Sequence, residues 1–432
     1  MSDSDRTRTL ELSSDEARAG TARAVPGVVL VWSASEMRAL PVRRALVIGR
    51  DAAADCALDD EGVSRRHVSL SPGRGALLAR DLESRNGTFI DGRRIEGEAA
   101  LPIGSVLRVG RALFVAVADA TRFRARASNS VLAGMIGGPS LDPLRAEISA
   151  LATLDSPILI QGESGTGTEL AAASIHAASG RKGELVPINC AALPAQIVES
   201  ELFGHARGAF SGAERARAGL FAQARGGTLF LDEIGELAPN AQAKLLRLLE
   251  DGIVRSVGED KGRYLDVRVV AATHRDLKRS VEEGSFRLDL FHRIAASRVH
   301  LPPLRDRRED IPALAAHLAP GEPTLSMEAM EALLIHRWPG NVRELGHVLV
   351  AARARARGAE AEVIEAEHLA LDTRAVPDDR GGEAQRTRIE DALRAAGGNV
   401  TAAARAIGMR RAGIYEEMRR LGVDAAAFRR KS

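Results

Sequence analysis

The sequence predicts a multidomain protein: an N-terminal all-β sandwich, a central α/β phosphate-loop domain with a helical lid, and a C-terminal all-α helix-turn-helix. Three observations carry that expectation. Between Val28 and about Val117, short β-branched and apolar runs (GVVLVW, ALVIGR, HVSL, VLRVG, LFVAV) alternate with Gly, Asp and Ser turns, the spacing of a sandwich. From about Val131, strand-like segments (SPILIQG, ELVPIN, GTLFLDE, VRVVAAT) alternate with stretches of helical length, as in an α/β layer. Residues 387–423 carry apolar positions at helical spacing, broken at Gly397-Gly398 and again at Gly408.

A chain of 432 residues holds two to four domains at roughly 100–200 residues each. The expected divisions are a polar tail over 1–26, the sandwich over 27–119 and an Arg-rich connector over 120–132. The α/β core follows over 133–305, its lid over 306–372, a Pro- and Asp-containing linker over 373–384 and the helical tail over 385–432. The net charge of +2 says nothing about partners. Its distribution says more: from Gly381 to Ser432, 11 basic residues face 6 acidic ones, a net of +5 that suits nucleic acid. The two cysteines, Cys56 and Cys190, are far apart and lack metal spacing, which argues against a disulfide framework or a zinc site and for a reducing compartment. With no apolar run near eighteen residues and no apolar signal core at the N-terminus, a cytoplasmic protein without membrane contact is expected.

SPILIQG runs directly into Gly162-Glu163-Ser164-Gly165-Thr166-Gly167, followed by a helical stretch from Thr168-Glu169. A glycine-rich strand-to-helix turn aims backbone N–H groups and a helix N-terminus at anionic oxygens. The phosphate-loop pattern has lysine after the last glycine; here Thr168 stands there. GGTLFLDEIGEL, some seventy residues on, is an apolar strand ending in Asp232-Glu233. In such ATPases the first acid holds Mg²⁺ through water and the second polarises the attacking water.

ESELFGHARGAFSGAERARAGLF resembles the loop by which AAA+ activators of sigma-54 RNA polymerase touch the sigma factor. The likeness continues through VPINCAAL, AATHRDL, FRLDLFHRI, LPPLRDRREDI and WPGNVREL, from about Met135 to Leu369. The resemblance implies ATP and Mg²⁺ as cofactors, with Asp232 and Glu233 as the catalytic acids. It implies that Asn189 hydrogen-bonds the glutamate when hydrolysis is held off, and that Arg287 and Arg293 reach a neighbouring subunit's nucleotide. Arg343 becomes the lid arginine that senses the γ-phosphate, and Gly208, Ala209, Phe210, Ser211, Gly212 and Ala213 the sigma-54 contact. The departures are Thr168 for lysine, His274 where the family usually has asparagine, and Ser211 for threonine. The first removes an ammonium that no neutral hydroxyl replaces.

IGR, SRRH and NGTFIDG occur in that order within the β-rich region and resemble a forkhead-associated (FHA) domain, a phosphothreonine reader. The resemblance places Arg50 and Ser64 on the phosphate, Asn86 on the peptide backbone and Arg65 and Arg85 beside it, with His67 bracing the loops. The helical tail resembles the Fis-type DNA-binding module, with Arg410, Arg411, Tyr415, Arg419 and Arg420 as DNA contacts. Asn399 or Thr401 can cap its middle helix. Gly413, Glu416 and Glu417 depart from what a DNA-reading helix favours.

Together these resemblances imply a regulator that binds enhancer DNA as dimers and assembles a hexameric or heptameric ring. It would remodel sigma-54 RNA polymerase with ATP and read a phosphothreonine-containing protein or kinase. Thr168 leaves a second reading open: the same architecture with impaired hydrolysis, acting by binding DNA and phosphopeptide or within mixed rings.

Overall fold

The computed structural model describes residues 24–33, 38–124, 134–192, 194–210, 213–259 and 261–371, and, within 389–428, residues 389–394, 396, 399–407, 409, 413–414, 418, 423 and 428. The chain forms two compact units, 1–370 and 371–432.

The first unit begins with β1 (Gly27–Trp32), β2 (Arg38–Pro41), β3 (Leu46–Gly49), β4 (Cys56–Ala57), β5 (Val68–Pro72) and β6 (Leu77–Asp81). β7 (Thr88–Ile90), β8 (Arg93–Arg94), β9 (Glu98–Leu101), β10 (Val106–Val109) and β11 (Ala112–Val117) follow. They form two sheets, β2-β1-β11-β10-β7-β8 and β4-β3-β5-β6-β9. Phe114 and Ala116 of β11 face the sandwich core with Val28, Leu30, Ile48 and Leu70, the period-2 burial that a strand imposes. Leu113 and Val115, on the other face of β11, are buried as well. The expected connector begins later than residue 120, because Ala120–Arg124 forms a 3₁₀ turn packed on β1 and β2, with Ala120 fully buried.

Next come α1 (Asp142–Ala152), β12 (Ile158–Gln161), α2 (Thr168–Ala178), β13 (Leu185–Asn189), α3 (Ala195–Phe203), the pair β14 (Gly204–His205) and β15 (Arg217–Ala218), and α4 (Leu220–Gln223). β16 (Thr228–Asp232), α5 (Pro239–Asp251), the pair β17 (Ile253–Val254) and β18 (Arg263–Tyr264), β19 (Arg268–Thr273), α6 (Leu277–Glu282), α7 (Leu288–Ile294) and β20 (Ser297–His300) complete this layer. The parallel sheet runs β13-β16-β19-β12-β20. Alternate residues of the same strands feed opposite cores: Leu229, Leu231, Val269 and Ala271 on one face, Phe230, Val270 and Ala272 on the other. Covering both faces makes these strands continuously apolar. The functional loops therefore gather at the carboxyl edge, where β12, β16 and β19 end side by side.

The lid holds α8 (Ile311–Leu318), β21 (Thr324–Leu325), α9 (Met327–Ile335), α10 (Asn341–Gly358), β22 (Val363–Ile364) and α11 (Ala366–Leu369). Trp338, fully buried, donates its indole N–H to Leu333 O at 2.8 Å and locks the bend between α9 and α10.

In the second unit α12 (Val400–Ala406) is capped by Asn399, whose Oδ1 accepts from the backbone N–H groups of Thr401 and Ala402, each at 3.1 Å. Asn399 rather than Thr401 takes the cap. Ile389, Leu393, Ala403, Ile414 and Met418 form its core. Arg410, Arg411, Tyr415, Arg419 and Arg420 lie outside the described residues, as do Ser211 and Gly212.

Candidate nucleotide and phosphopeptide sites

The glycine-rich loop leaves β12 at Gly162 and enters α2 at Thr168. Gly165 and Gly167 take φ of 80° and 108°, a left-handed backbone that glycine adopts without penalty. At Gly165 the fit is tight as well, since a Cβ there would lie 2.4 Å from Gly340 O in the lid. Gly167 is the N-cap of α2, and no side chain caps that helix. Its first-turn N–H groups and the loop amides thus form a concave donor surface of the kind that holds phosphate. The donors fit a nucleotide's phosphates; Thr168, at the first helical position, brings a hydroxyl where the pattern calls for a cation.

Other cations ring the loop. Arg305 pairs with Glu163 through two bonds of 2.8 and 2.6 Å and holds that carboxyl below the usual range. Asn341, fully buried, donates to Glu163 Oε2 and Ser164 O. Arg343 reaches Ser164 Oγ at 2.9 Å, and the buried Arg307 reaches Thr166 O at 3.1 Å. A cleft of about 430 Å³ beside Gly162 and Glu163 is lined by His274, Arg275, Lys278 and Arg298. Arg305 and Arg307 lie in LPPLRDRREDI and Asn341 in WPGNVREL, yet nothing local in those motifs marks them as neighbours of the phosphate loop.

Asp232 ends β16, and Glu233 follows in a left-handed conformation with φ of 53°. Such a backbone costs on the order of 1 kcal/mol and persists only where neighbours enforce it. Burial, and then the charge of Glu233, push the Asp232 carboxyl above its ordinary value. Cys190 nearby is pushed up to about 12, first by burial and then by the two acids. The expected Asn189–Glu233 hydrogen bond is absent from this structure. The Asn189 amide instead donates to Asp232 Oδ2 at 3.3 Å, and His274 Nδ1 stands 2.8 Å from both oxygens of Glu233. Strand register explains the exchange. Asn189 and Asp232 are direct partners in the β13–β16 ladder, and Asn189 Oδ1 is already taken by the N–H groups of Ala191 and Ala192.

Arg287, the N-cap of α7, and Arg293, in its last turn, are exposed; Arg287 pairs with Asp289 at 2.7 Å, and Arg293 donates to Leu249 O at 2.7 Å. Gly208, Ala209, Phe210 and Ala213 lie on the loop between β14 and β15. Phe210 is 46% exposed and meets His205 edge-on, with ring centroids 5.0 Å apart.

At one end of the sandwich, Arg50, Arg65, Arg85 and Asn86 are exposed and Ser64 is half-buried. Asn86 Nδ2 donates to Gly62 O at 2.7 Å, and Ser64 Oγ accepts from Arg85 N at 3.0 Å. The buried His67 ties the loops together: its Nδ1 accepts from Ser64 N and its Nε2 faces Gly87 O, each at 3.1 Å. Only the neutral ring with hydrogen on Nε2 satisfies both, and burial lowers its pKa accordingly.

Residues 46–110 match the FHA domain, 136–300 the Sigma-54 interaction domain, 305–385 the AAA+ ATPase lid domain, and 382–421 the Fis family of bacterial regulatory proteins. The chain is 44% identical over 313 residues to the nitric oxide reductase transcription regulator NorR1 of Cupriavidus necator, covering 64% of this chain and 61% of that one. It is 47% identical over 245 residues to the regulatory protein LuxO of Vibrio cholerae, covering 54% and 46%. The chain thus spans less than two thirds of the length of these curated relatives. Among solved structures, NtrX from Brucella abortus in complex with ADP is 31% identical with a TM-score of 0.52, over 69% of this chain and 70% of that one. By its domains and these likenesses, the chain belongs to the sigma-54-dependent transcriptional activators, with an FHA domain before the AAA+ domain and a Fis-type helix-turn-helix after it.

Proposed function

We propose that this chain regulates transcription by sigma-54 RNA polymerase, binding enhancer DNA through residues 385–432 and remodelling the holoenzyme as an ATP-bound ring under phosphothreonine control. The observation that carries the reading is the meeting at one sheet edge of the phosphate loop, the Asp232-Glu233 pair and the lid arginine Arg343. ATP with Mg²⁺ would supply a phosphoryl group whose transfer drives the remodelling. The loop amides from Ser164 to Glu169 would hold its phosphates, Asp232 would hold Mg²⁺ through water, and Glu233 would orient the attacking water. Arg287 and Arg293, exposed on α7, would reach a neighbouring subunit's site. Phe210 and its loop would meet the sigma factor, and Arg50, Ser64 and Asn86 a phosphothreonine peptide. Arg410, Arg411, Tyr415, Arg419 and Arg420 would contact DNA.

Thr168 favours a second reading in which hydrolysis is impaired and regulation proceeds by occupancy of DNA and phosphopeptide, alone or in mixed rings. Open-complex formation by sigma-54 holoenzyme, on a promoter carrying this protein's upstream site, separates the two. Opening that depends on both the full chain and ATP supports the first reading. DNA occupancy without opening, with added ATP making no difference, supports the second.

A further inference from the structure

The FHA domain rests on the lid of its own AAA+ domain. Arg108 Nε of β10 and Glu331 Oε1 of α9 form an ion pair at 3.0 Å, their side chains only 21% and 12% exposed. The Arg108 guanidinium also lies over the Phe89 ring of β7, 3.6 Å from its centroid, a cation–π contact that fixes its plane. A second contact lies at the turn after β7, where Asp91 Oδ1 is 3.9 Å from the buried Arg308 Nη1.

Each contact leads to the phosphate loop. Arg308 follows Arg307, which holds Thr166 O, and α9 passes through the locked Trp338 bend to Asn341 and Arg343, which hold Glu163 and Ser164. Each contact also leads to the peptide end of the sandwich. Asn86 stands just before β7 and Asp91 just after it. A cleft of about 580 Å³ is lined by Gly62, Asn86, Phe89, Arg108 and Arg111, together with the acids Asp59, Asp60 and Glu61. The arginine that grips the lid is therefore also a wall of the cleft beside the peptide-fixing asparagine.

Resting on the phosphothreonine reading above, we propose that Arg108 is a shared ligand. In the empty FHA domain it holds Glu331 and keeps the lid docked. A phosphothreonine peptide with an acidic residue on its C-terminal side draws Arg108 to that carboxylate and frees α9. A guanidinium presents a fixed fork of donors, so a carboxylate entering along the cleft competes directly with Glu331. Releasing α9 loosens the grip of Asn341 and Arg343 on the loop, which couples peptide and nucleotide reciprocally.

The full chain is tested by hydrogen exchange in residues 327–335 and 163–166, with a pool of phosphothreonine peptides carrying Asp or Glu at one of the four following positions. The unphosphorylated pool is the control. The phosphorylated pool is expected to speed exchange of 327–335 by about fivefold or more, the low end of typical coupling. Glu331→Gln is expected to speed it without peptide, after which the pool still binds and adds nothing. Arg108→Glu combined with Glu331→Arg is expected to restore protection without peptide. Peptide binding to the wild type with unchanged exchange in 327–335 overturns the proposal, as does a Glu331→Gln protein that behaves like wild type. Absence of any phosphopeptide binding overturns the phosphothreonine reading itself. That failure is told apart because Glu331→Gln and the charge swap report on the docked contact without peptide.

Discussion

His274 Nδ1 stands 2.8 Å from both carboxylate oxygens of Glu233, so the two acids at the end of β16 are held from opposite sides. β13 holds Asp232 through Asn189, and β19 holds Glu233 through the residue that follows it, His274. Loss of a hydrogen bond to a charged group costs about 1.5–3 kcal/mol, or roughly 10- to 100-fold in a rate that depends on it. In a Thr168→Lys background, His274→Ala should lower turnover by that factor, and His274→Asn, which keeps a donor, should retain most of it. Steady-state phosphate release reads the difference. Equal rates for Ala and His at this position would mean that Glu233 needs no such support.

Thr168 sets the scale of nucleotide chemistry. The lid cations are engaged elsewhere: Arg305 with Glu163, Arg307 with Thr166 O and Arg343 with Ser164. None stands at the first position of α2, where a lysine would meet the β/γ-phosphates. On the second reading, wild type should hydrolyse ATP weakly or not at all, and Thr168→Lys should raise turnover on the order of 10²-fold, the worth of one preorganised charge stabiliser. Coupled-enzyme ATPase assays over a range of protein concentrations check this and allow for assembly. Robust turnover by wild type, unaffected by the substitution, would remove the case for an impaired site.

What was legible in the sequence was local. Glycine at 165 and 167, the acids after an apolar strand and the NGTFIDG turn announce their conformations within a few residues. What was not legible depends on register and on distant chain segments. Asn189 meets Asp232 because β13 and β16 pair in that register, which no motif encodes. Arg305 and Asn341 hold Glu163 from 142 and 178 residues away. Arg108 and Glu331 are 223 residues apart, and each reads in isolation as an ordinary surface charge. The cap at Asn399 was one of two local options, decided by which oxygen faces the first-turn N–H groups.

Arg50 and Asn86 are exposed at the same end of the sandwich, and Ser64 between them keeps its hydroxyl hydrogen to donate, since its oxygen only accepts from Arg85 N. Arg50→Ala should weaken binding of a phosphothreonine peptide at least tenfold, as expected for losing a charge-assisted hydrogen bond. Affinity for the unphosphorylated peptide should stay unchanged. Fluorescence anisotropy titrations check both; equal loss for both peptides would place the phosphate elsewhere.

His67 makes the loop framework sensitive to acid. Its Nδ1 must stay unprotonated to accept from Ser64 N, and burial lowers its pKa from the ordinary 6.5. The unfolded chain therefore takes up the proton first as pH falls. The contribution of His67 to stability is complete above about pH 6.5 and declines as pH drops from there toward the folded-state pKa. Below that value both states are protonated and nothing further is lost from this group. His67→Gln should cost stability at pH 7.5 yet show a shallower loss between pH 7 and pH 5 than wild type. The gap between the two proteins should narrow over that range. Urea unfolding of the full chain at a series of pH values, followed by an FHA-specific signal such as Trp32 fluorescence in a Trp338→Phe background, measures the gap. Parallel pH profiles for the two proteins would show that His67 does not titrate against folding.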